Sequence, residues 1–163
     1  MAQEIERKFL VKDSSYKQLA YNHTHIAQGY IASGNGRTVR IRIRDDRAYL
    51  TIKGPSADGG LSRYEFETEV AVADARDLMQ ICQPGIVQKT RWLVRCNDGH
   101  VFEVDEFEGD NEGLVMAEVE LGSADEAYEK PDFIGREVTG DHRFYNSHLR
   151  SNPFKLWGKD IKP

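Results

Sequence analysis

Charged residues recur at every second position in several stretches of this chain, and most stretches carry a single sign. Arg40, Arg42 and Arg44 are cations spaced by two, while Glu103 and Asp105, and again Glu118 and Glu120, are carboxylate pairs with the same spacing. Near the start, Glu4, Glu6 and Lys8 repeat the interval, as do Glu65, Glu67 and Glu69 further on. A carboxylate cluster binds a hard divalent cation through oxygen, and Mg²⁺ prefers a few carboxylates together with water and substrate phosphate. A cluster of Arg and Lys binds phosphate oxygens, Arg by its planar fork and Lys as a point charge. Side by side, the two clusters describe a site for a polyanion, as phosphoryl transfer requires.

A spacing of two puts side chains on one face only if the backbone is a strand. Alternation predicts eight strands, at about 3–12, 26–33, 37–45, 48–54, 62–72, 87–96, 100–107 and 114–122. Gly34-Asn35-Gly36, Asp45-Asp46 and Asn97-Asp98-Gly99 supply hairpin turns. Residues 54–60 read as a flexible loop and 109–113 as another turn. Short helices are expected at 74–82, at 123–130 behind a Ser123/Glu126 capping box, and at about 141–149. Strands joined by hairpins, with few helices, predict a mainly β (α+β) fold, an antiparallel sheet or closed eight-stranded barrel.

Splitting each strand by parity leaves nine cations and nine carboxylates on one common face. An ordinary amphipathic sheet would turn that face to water. Like charges two apart repel, however, and here they are sorted strand by strand. An eight-stranded barrel is wide enough to hold side chains or one small ligand, so this face is expected to point inward as a charged tunnel.

The chain has 163 residues, 39% hydrophobic and 30% charged, and reads as a single domain over 1–163 with 151–163 as a tail. Its net charge of −5 disfavours nucleic acid and anionic membranes as partners. Five charges in the first twelve residues argue against a signal peptide, and no apolar run is long enough to span a membrane. Cys82 and Cys96 form no CxxC pair, which predicts a reducing, cytoplasmic setting with both as packing residues. His23 and His25 read as a solvated loop, and Ser14-Ser15 lacks the elbow of a nucleophilic serine.

Glu4-Ile5-Glu6-Arg7-Lys8 resembles the ExExK signature of the triphosphate tunnel metalloenzyme, or CYTH, superfamily. The resemblance continues in order through Gln28-Gly29-Tyr30, Arg42-Ile43-Arg44, Thr51-Ile52-Lys53, residues 60–67, Lys89-Thr90-Arg91, Glu103-Val104-Asp105 and Glu118-Val119-Glu120, across about 2–150. It is closest to the small bacterial single-domain members. It implies a divalent-metal enzyme using Mg²⁺ or Mn²⁺ on a small-molecule triphosphate. Glu4, Glu6 and Glu120, with Glu118 adjacent, are then metal ligands. Lys8, Arg42, Arg44, Lys53, Lys89 and Arg91 are phosphate ligands, and Arg143 resembles a basic residue that closes over the terminal phosphate. Glu65 and Glu67 fall at positions that place metal or water, and with Lys8 form the expected catalytic group. Arg40 and Arg95 match no motif position and are read as charges at the tunnel mouth or in solvent.

Three activities are compatible with these residues: hydrolysis of inorganic or a related organic triphosphate, cyclisation of ATP to cyclic AMP, and non-catalytic polyphosphate or nucleotide binding. The full Glu4/Glu6/Glu120 set favours an enzyme. Family cyclases resemble one another through a His-Phe extension before ExExK, where this chain has only Ala2-Gln3 after Met1, which favours hydrolysis. The aromatic tail, Phe154-Lys155-Leu156-Trp157, is expected either to fold back on the barrel or to plug one end of the tunnel. Oligomeric state is left open by the sequence.

Overall fold

The computed structural model describes residues 2–157 and 161–163. Within them nine strands run β1 (Gln3–Val11), β2 (Asn22–Gly34), β3 (Arg37–Arg44), β4 (Arg47–Ala57), β5 (Ser62–Val70), β6 (Val87–Arg95), β7 (Val101–Phe107), β8 (Val115–Glu120) and β9 (Ile134–Glu137). The helices are short: α1 (Tyr16–Leu19), α2 (Val72–Gln80) and α3 (Asn146–Leu149). None is long and apolar enough to cross a membrane.

The strands pair antiparallel in the order β5-β4-β3-β2-β6-β7-β8-β1, and β5 pairs again with β1, closing an eight-stranded barrel. The closing seam is brief, Gln3–Ile5 against Ser62–Tyr64. Further along the same edge of β1, Phe9 and Val11 take β9 instead. Between them the edge is met locally: Glu6 N–H donates to the Leu61 carbonyl, and Lys8 N–H to Thr139 Oγ1. The ninth strand was not foreseen, because four residues of IGRE show no alternation.

The barrel is inverted relative to an ordinary one. Its apolar packing lies mainly outside: Phe9, Phe102, Val104, Ala117 and Val119 pack beneath Tyr16, Phe133 and Ile134. On the opposite wall α2 lays Ala75 over Ile41 and Ala48. The charged parity faces inward, where Lys8, Arg40, Arg42, Lys89, Arg91 and Asp105 are all buried. Only one end of the interior is apolar. There Leu10, Val87, Phe107 and Met116 meet Phe144 and Leu149 of the C-terminal segment. Phe154 and Trp157 pack on this plug, Trp157 edge-on to Phe144 at 5.2 Å, so the tail folds back onto the closed end. Residues 158–160 of the expected tail lie outside the described residues.

Several boundaries differ from the sequence reading. β2 starts at Asn22, so His23 and His25 are strand residues; pairing with β6 continues to Asn22↔Leu93, and His23 stacks on Trp92 at 4.6 Å. The expected loop at 54–60 is mostly ordered strand, with β4 running to Ala57 across a register shift after Lys53 and a 3-10 turn at Asp58–Gly60. Residues 123–130 are not helical. Glu126 does reach back to the Gly122 N–H, but its other oxygen is taken by His100, which holds the segment as a turn on the β6–β7 hairpin. The expected 141–149 helix is broken at Tyr145, whose backbone is extended. α2 begins at Val72 behind Ala71, two residues before the expected Asp74 cap. One close approach fixes the C-terminal segment: Gly140, at φ +80°, lies so near the Gly59 carbonyl that any Cβ would collide with it.

Candidate active site

The first strand supplies the acidic side. In the antiparallel register Glu6 stands opposite Glu120 and Lys8 opposite Glu118, so four inward residues meet across two strands. Lys8 Nζ lies 3.5 Å from Glu118 Oε1, and donates to the Phe144 carbonyl at 3.3 Å. Lys53, reaching from β4 past β5, places Nζ 2.8 Å from Glu4 Oε2 and 3.2 Å from Glu65 Oε2. Burial, then Glu118 and Glu4, push the Glu6 carboxyl well above its usual range. Burial also works against ionised Glu118, but Lys8, Arg91 and Lys89 outweigh it and hold that carboxyl far below normal. Glu120 is exposed, its pKa raised by burial of part of the side chain and by Glu4, Glu103 and Glu65.

The basic side comes from β3 and β6. Lys89 is fully buried and donates to Asp105 Oδ2 at 2.7 Å. Arg91 forks onto the same carboxylate at 2.8 and 2.9 Å and reaches Glu103 at 2.7 Å. One buried carboxylate therefore serves two cations. Burial, with Arg91 and Arg42 nearby, pushes the Lys89 ammonium down to about 7, although Asp105 opposes the shift. Burial, Arg40 and Arg91 likewise bring Arg42 down to about 9. Arg40 donates Nη2 to Thr51 Oγ1 at 3.1 Å, but its buried Nε has no partner. An unmet buried donor costs roughly 1–3 kcal/mol, which an anion would recover.

These groups enclose one cavity. Of the residues expected from sequence, Glu4, Glu6, Lys8, Arg42, Lys53, Lys89, Arg91 and Glu118 line it together. Glu65 and Glu67 stand just behind the lining, touching its cations: Glu65 on Lys53, and Glu67 3.6 Å from Arg40. Glu120 is not in the lining; it is exposed and shares a separate surface pocket with Tyr21, His100 and Glu103. Arg44 is not in the lining; it donates to the Tyr49 hydroxyl at 3.0 Å and stacks on that ring. Arg143 is also outside, half exposed in a 3-10 turn and forked onto Asp141.

Sequence reasoning left four contributors without a role in the site. Arg40, read as a mouth or solvent charge, is 7% exposed and lines the cavity, while Arg95 is exposed over the Tyr21 ring. Parity put both Arg40 and the buried Asp105 on the inward face, but neither was given a role in the site. Tyr145 and Asn146 come from a segment without strand periodicity, and nothing in the sequence pattern points them inward.

A family model described as the CYTH domain matches residues 2–145. The chain belongs to the CYTH family. Among its CYTH relatives is an inorganic triphosphatase of Acetivibrio thermocellus, 45% identical over 156 residues, covering 95% of this chain and 97% of that protein. Another, an inorganic triphosphatase of Nitrosomonas europaea, is 34% identical over 149 residues, covering 90% and 95%. A crystal structure of an inorganic triphosphatase aligns with a TM-score of 0.63 at 31% identity, over 92% of this chain and 95% of that one. A Hippeastrum protein, 16% identical with a TM-score of 0.59 over 74% and 80% of the two chains, shares the CYTH fold.

Proposed function

We propose that this chain hydrolyses inorganic triphosphate, or a related organic triphosphate, to phosphate and diphosphate inside the barrel, with Mg²⁺ or Mn²⁺. The observation that carries this reading is the cavity lining itself, where Lys8, Arg40, Arg42, Lys53, Arg63, Lys89 and Arg91 face Glu4, Glu6 and Glu118. Cations outnumber carboxylates seven to three in that lining, which suits a polyanion. The two triphosphatase relatives, matched over nearly their full lengths, point the same way.

The acidic residues offer the oxygen donors that a hard divalent metal takes. Glu4, Glu6 and Glu118 crowd one another, the Glu6 carboxyl is driven toward its protonated form, and Lys53 supplies a positive charge among them. Glu4, Glu6 and Glu120, with Glu118 adjacent, would hold the ion. When bound, it supplies Lewis-acid stabilisation of charge on phosphoryl oxygens. The protein's own cations do the rest. Lys8, Arg40, Arg42, Lys53, Lys89 and Arg91 bind and orient the phosphate chain, and neutralise charge on the leaving diphosphate. Glu65 and Glu67 orient the attacking water from the open end, Glu65 being tied to the cavity through Lys53. The apolar plug keeps bulk water from the other end. Measuring phosphate release from triphosphate with Mg²⁺, with Mn²⁺ and with a chelator tests this: release with either metal and loss on chelation is expected, and no release under any condition would refute it.

A further inference from the structure

Arg42 is held by an amide. Gln28, fully buried on the neighbouring strand and opposite Arg42 in register, accepts from Arg42 Nε at 2.9 Å and from Nη2 at 2.7 Å through the single atom Oε1. Its Nε2 donates to the Tyr30 hydroxyl at 3.1 Å and to Asn146 Oδ1 at 3.3 Å. Asn146 Oδ1 in turn accepts from Lys89 Nζ at 2.9 Å. The orientation of both amides is fixed by chemistry, since guanidinium and ammonium only donate and the atoms facing them must be carbonyl oxygens. Among the described residues no carboxylate is within ion-pairing distance of Arg42.

The contrast with Arg91 is informative. Arg91 is forked onto Asp105 and also paired with Glu103, so its charge is largely balanced. Arg42 spends two of its five N–H groups on an acceptor that carries no charge, and keeps the others and its full charge for a ligand.

We propose that Gln28 is a positioning residue for triphosphate binding: it fixes the guanidinium of Arg42 without discharging it, and Asn146 extends the same neutral tether to Lys89 from the C-terminal segment. This rests on the triphosphatase reading and adds a specific demand, that the acceptor be neutral. Glutamate has the same shape and still accepts from Arg42, and the Tyr30 hydroxyl can turn to donate to it, so a purely structural Gln28 would lose only the long contact to Asn146 Oδ1 at 3.3 Å.

The test uses the full-length protein and inorganic triphosphate. Binding is measured by calorimetry with chelator present, and KM and kcat are measured with Mg²⁺. Gln28→Glu is expected to melt at or above the wild-type temperature, bind triphosphate at least about tenfold more weakly, and raise KM by a similar factor with a smaller change in kcat. Asn146→Asp, on the more tolerant C-terminal segment, should weaken binding in the same direction and keeps the test alive if Gln28→Glu does not fold. Wild-type affinity in folded Gln28→Glu, or in Asn146→Asp where the first does not fold, would overturn the proposal alone. A wild-type protein that neither binds nor hydrolyses triphosphate would overturn the functional reading and this proposal with it.

Discussion

Lys53 on β4 holds its ammonium 2.8 Å from the carboxylate of Glu4 on β1, bridging over β5, the strand that separates them. The barrel thus carries an internal counter-ion at its acidic end, where Glu65 joins the same ammonium at 3.2 Å. Removing one partner of such a buried pair leaves uncompensated charge and costs about 3–5 kcal/mol. For a domain of this size that is a fall in melting temperature of roughly 6–20 °C.

Lys53→Met should therefore melt well below the wild type without metal, and gain more than the wild type when Mg²⁺ is added, because the freed carboxylates then have only the metal to balance them. Thermal melts with and without Mg²⁺ check this. Equal metal-induced shifts in both proteins would show that Lys53 and metal do not share the site.

Glu4→Ala and Glu6→Ala should keep the fold and lose the activity. Glu6→Ala relieves crowding among carboxylates, so its melting temperature should hold or rise, whereas Glu4→Ala removes the partner of Lys53 and should melt lower. Turnover of both at saturating Mg²⁺ should drop to less than about a tenth, a barrier increase above about 1.4 kcal/mol. Steady-state kinetics beside a melt separates the two effects.

Lys89 predicts proton uptake on binding. With its ammonium pushed down to about 7, most of it is neutral at pH 8 in the free protein. A bound polyanion favours the charged form and raises that pKa, so binding at pH 8 should draw protons from the buffer, approaching about one per site, and fewer at pH 6 where Lys89 is already charged. Calorimetry in buffers of different ionisation enthalpy reads the uptake, and Lys89→Met should remove it.

Arg40 and Arg143 should exchange the importance that sequence gave them. Arg40→Ala removes a cavity cation and should lower kcat/KM at least about tenfold, whereas Arg143→Ala removes a half-exposed partner of Asp141 and should stay within about threefold. Parallel losses in both would place Arg143 back over the substrate.

Most of the site was legible because strand parity is a strict geometric rule. Once Arg42 is inward, Arg40 and Arg44 share its face, and the carboxylates of the other strands follow in the same way. Parity does not say how deep a residue sits, so Arg44 was grouped with Arg42 although it ends at Tyr49, and Arg40 was set aside although it is buried. The C-terminal segment was the illegible part. Its fold depends on distant partners, Gly140 against Gly59 and Asn146 against Lys89, so local pattern gave a continuous helix where the chain breaks at Tyr145. The Ser123/Glu126 spacing failed for a related reason, since His100 competes for the Glu126 carboxylate.

The central claim is that this cavity is built for a phosphate chain cleaved at its terminal bond. The cavity lining offers seven cations and, among its aromatic residues, only Tyr30 and Tyr145. Inorganic triphosphate and ATP, each incubated with the wild-type protein and Mn²⁺, should be compared by kcat/KM and by chromatography of the products. The expected result is a preference for inorganic triphosphate of at least about tenfold, or roughly 1.4 kcal/mol of transition-state binding, with ADP and phosphate as the products from ATP. Cyclic AMP and diphosphate as the dominant products from ATP would contradict the account.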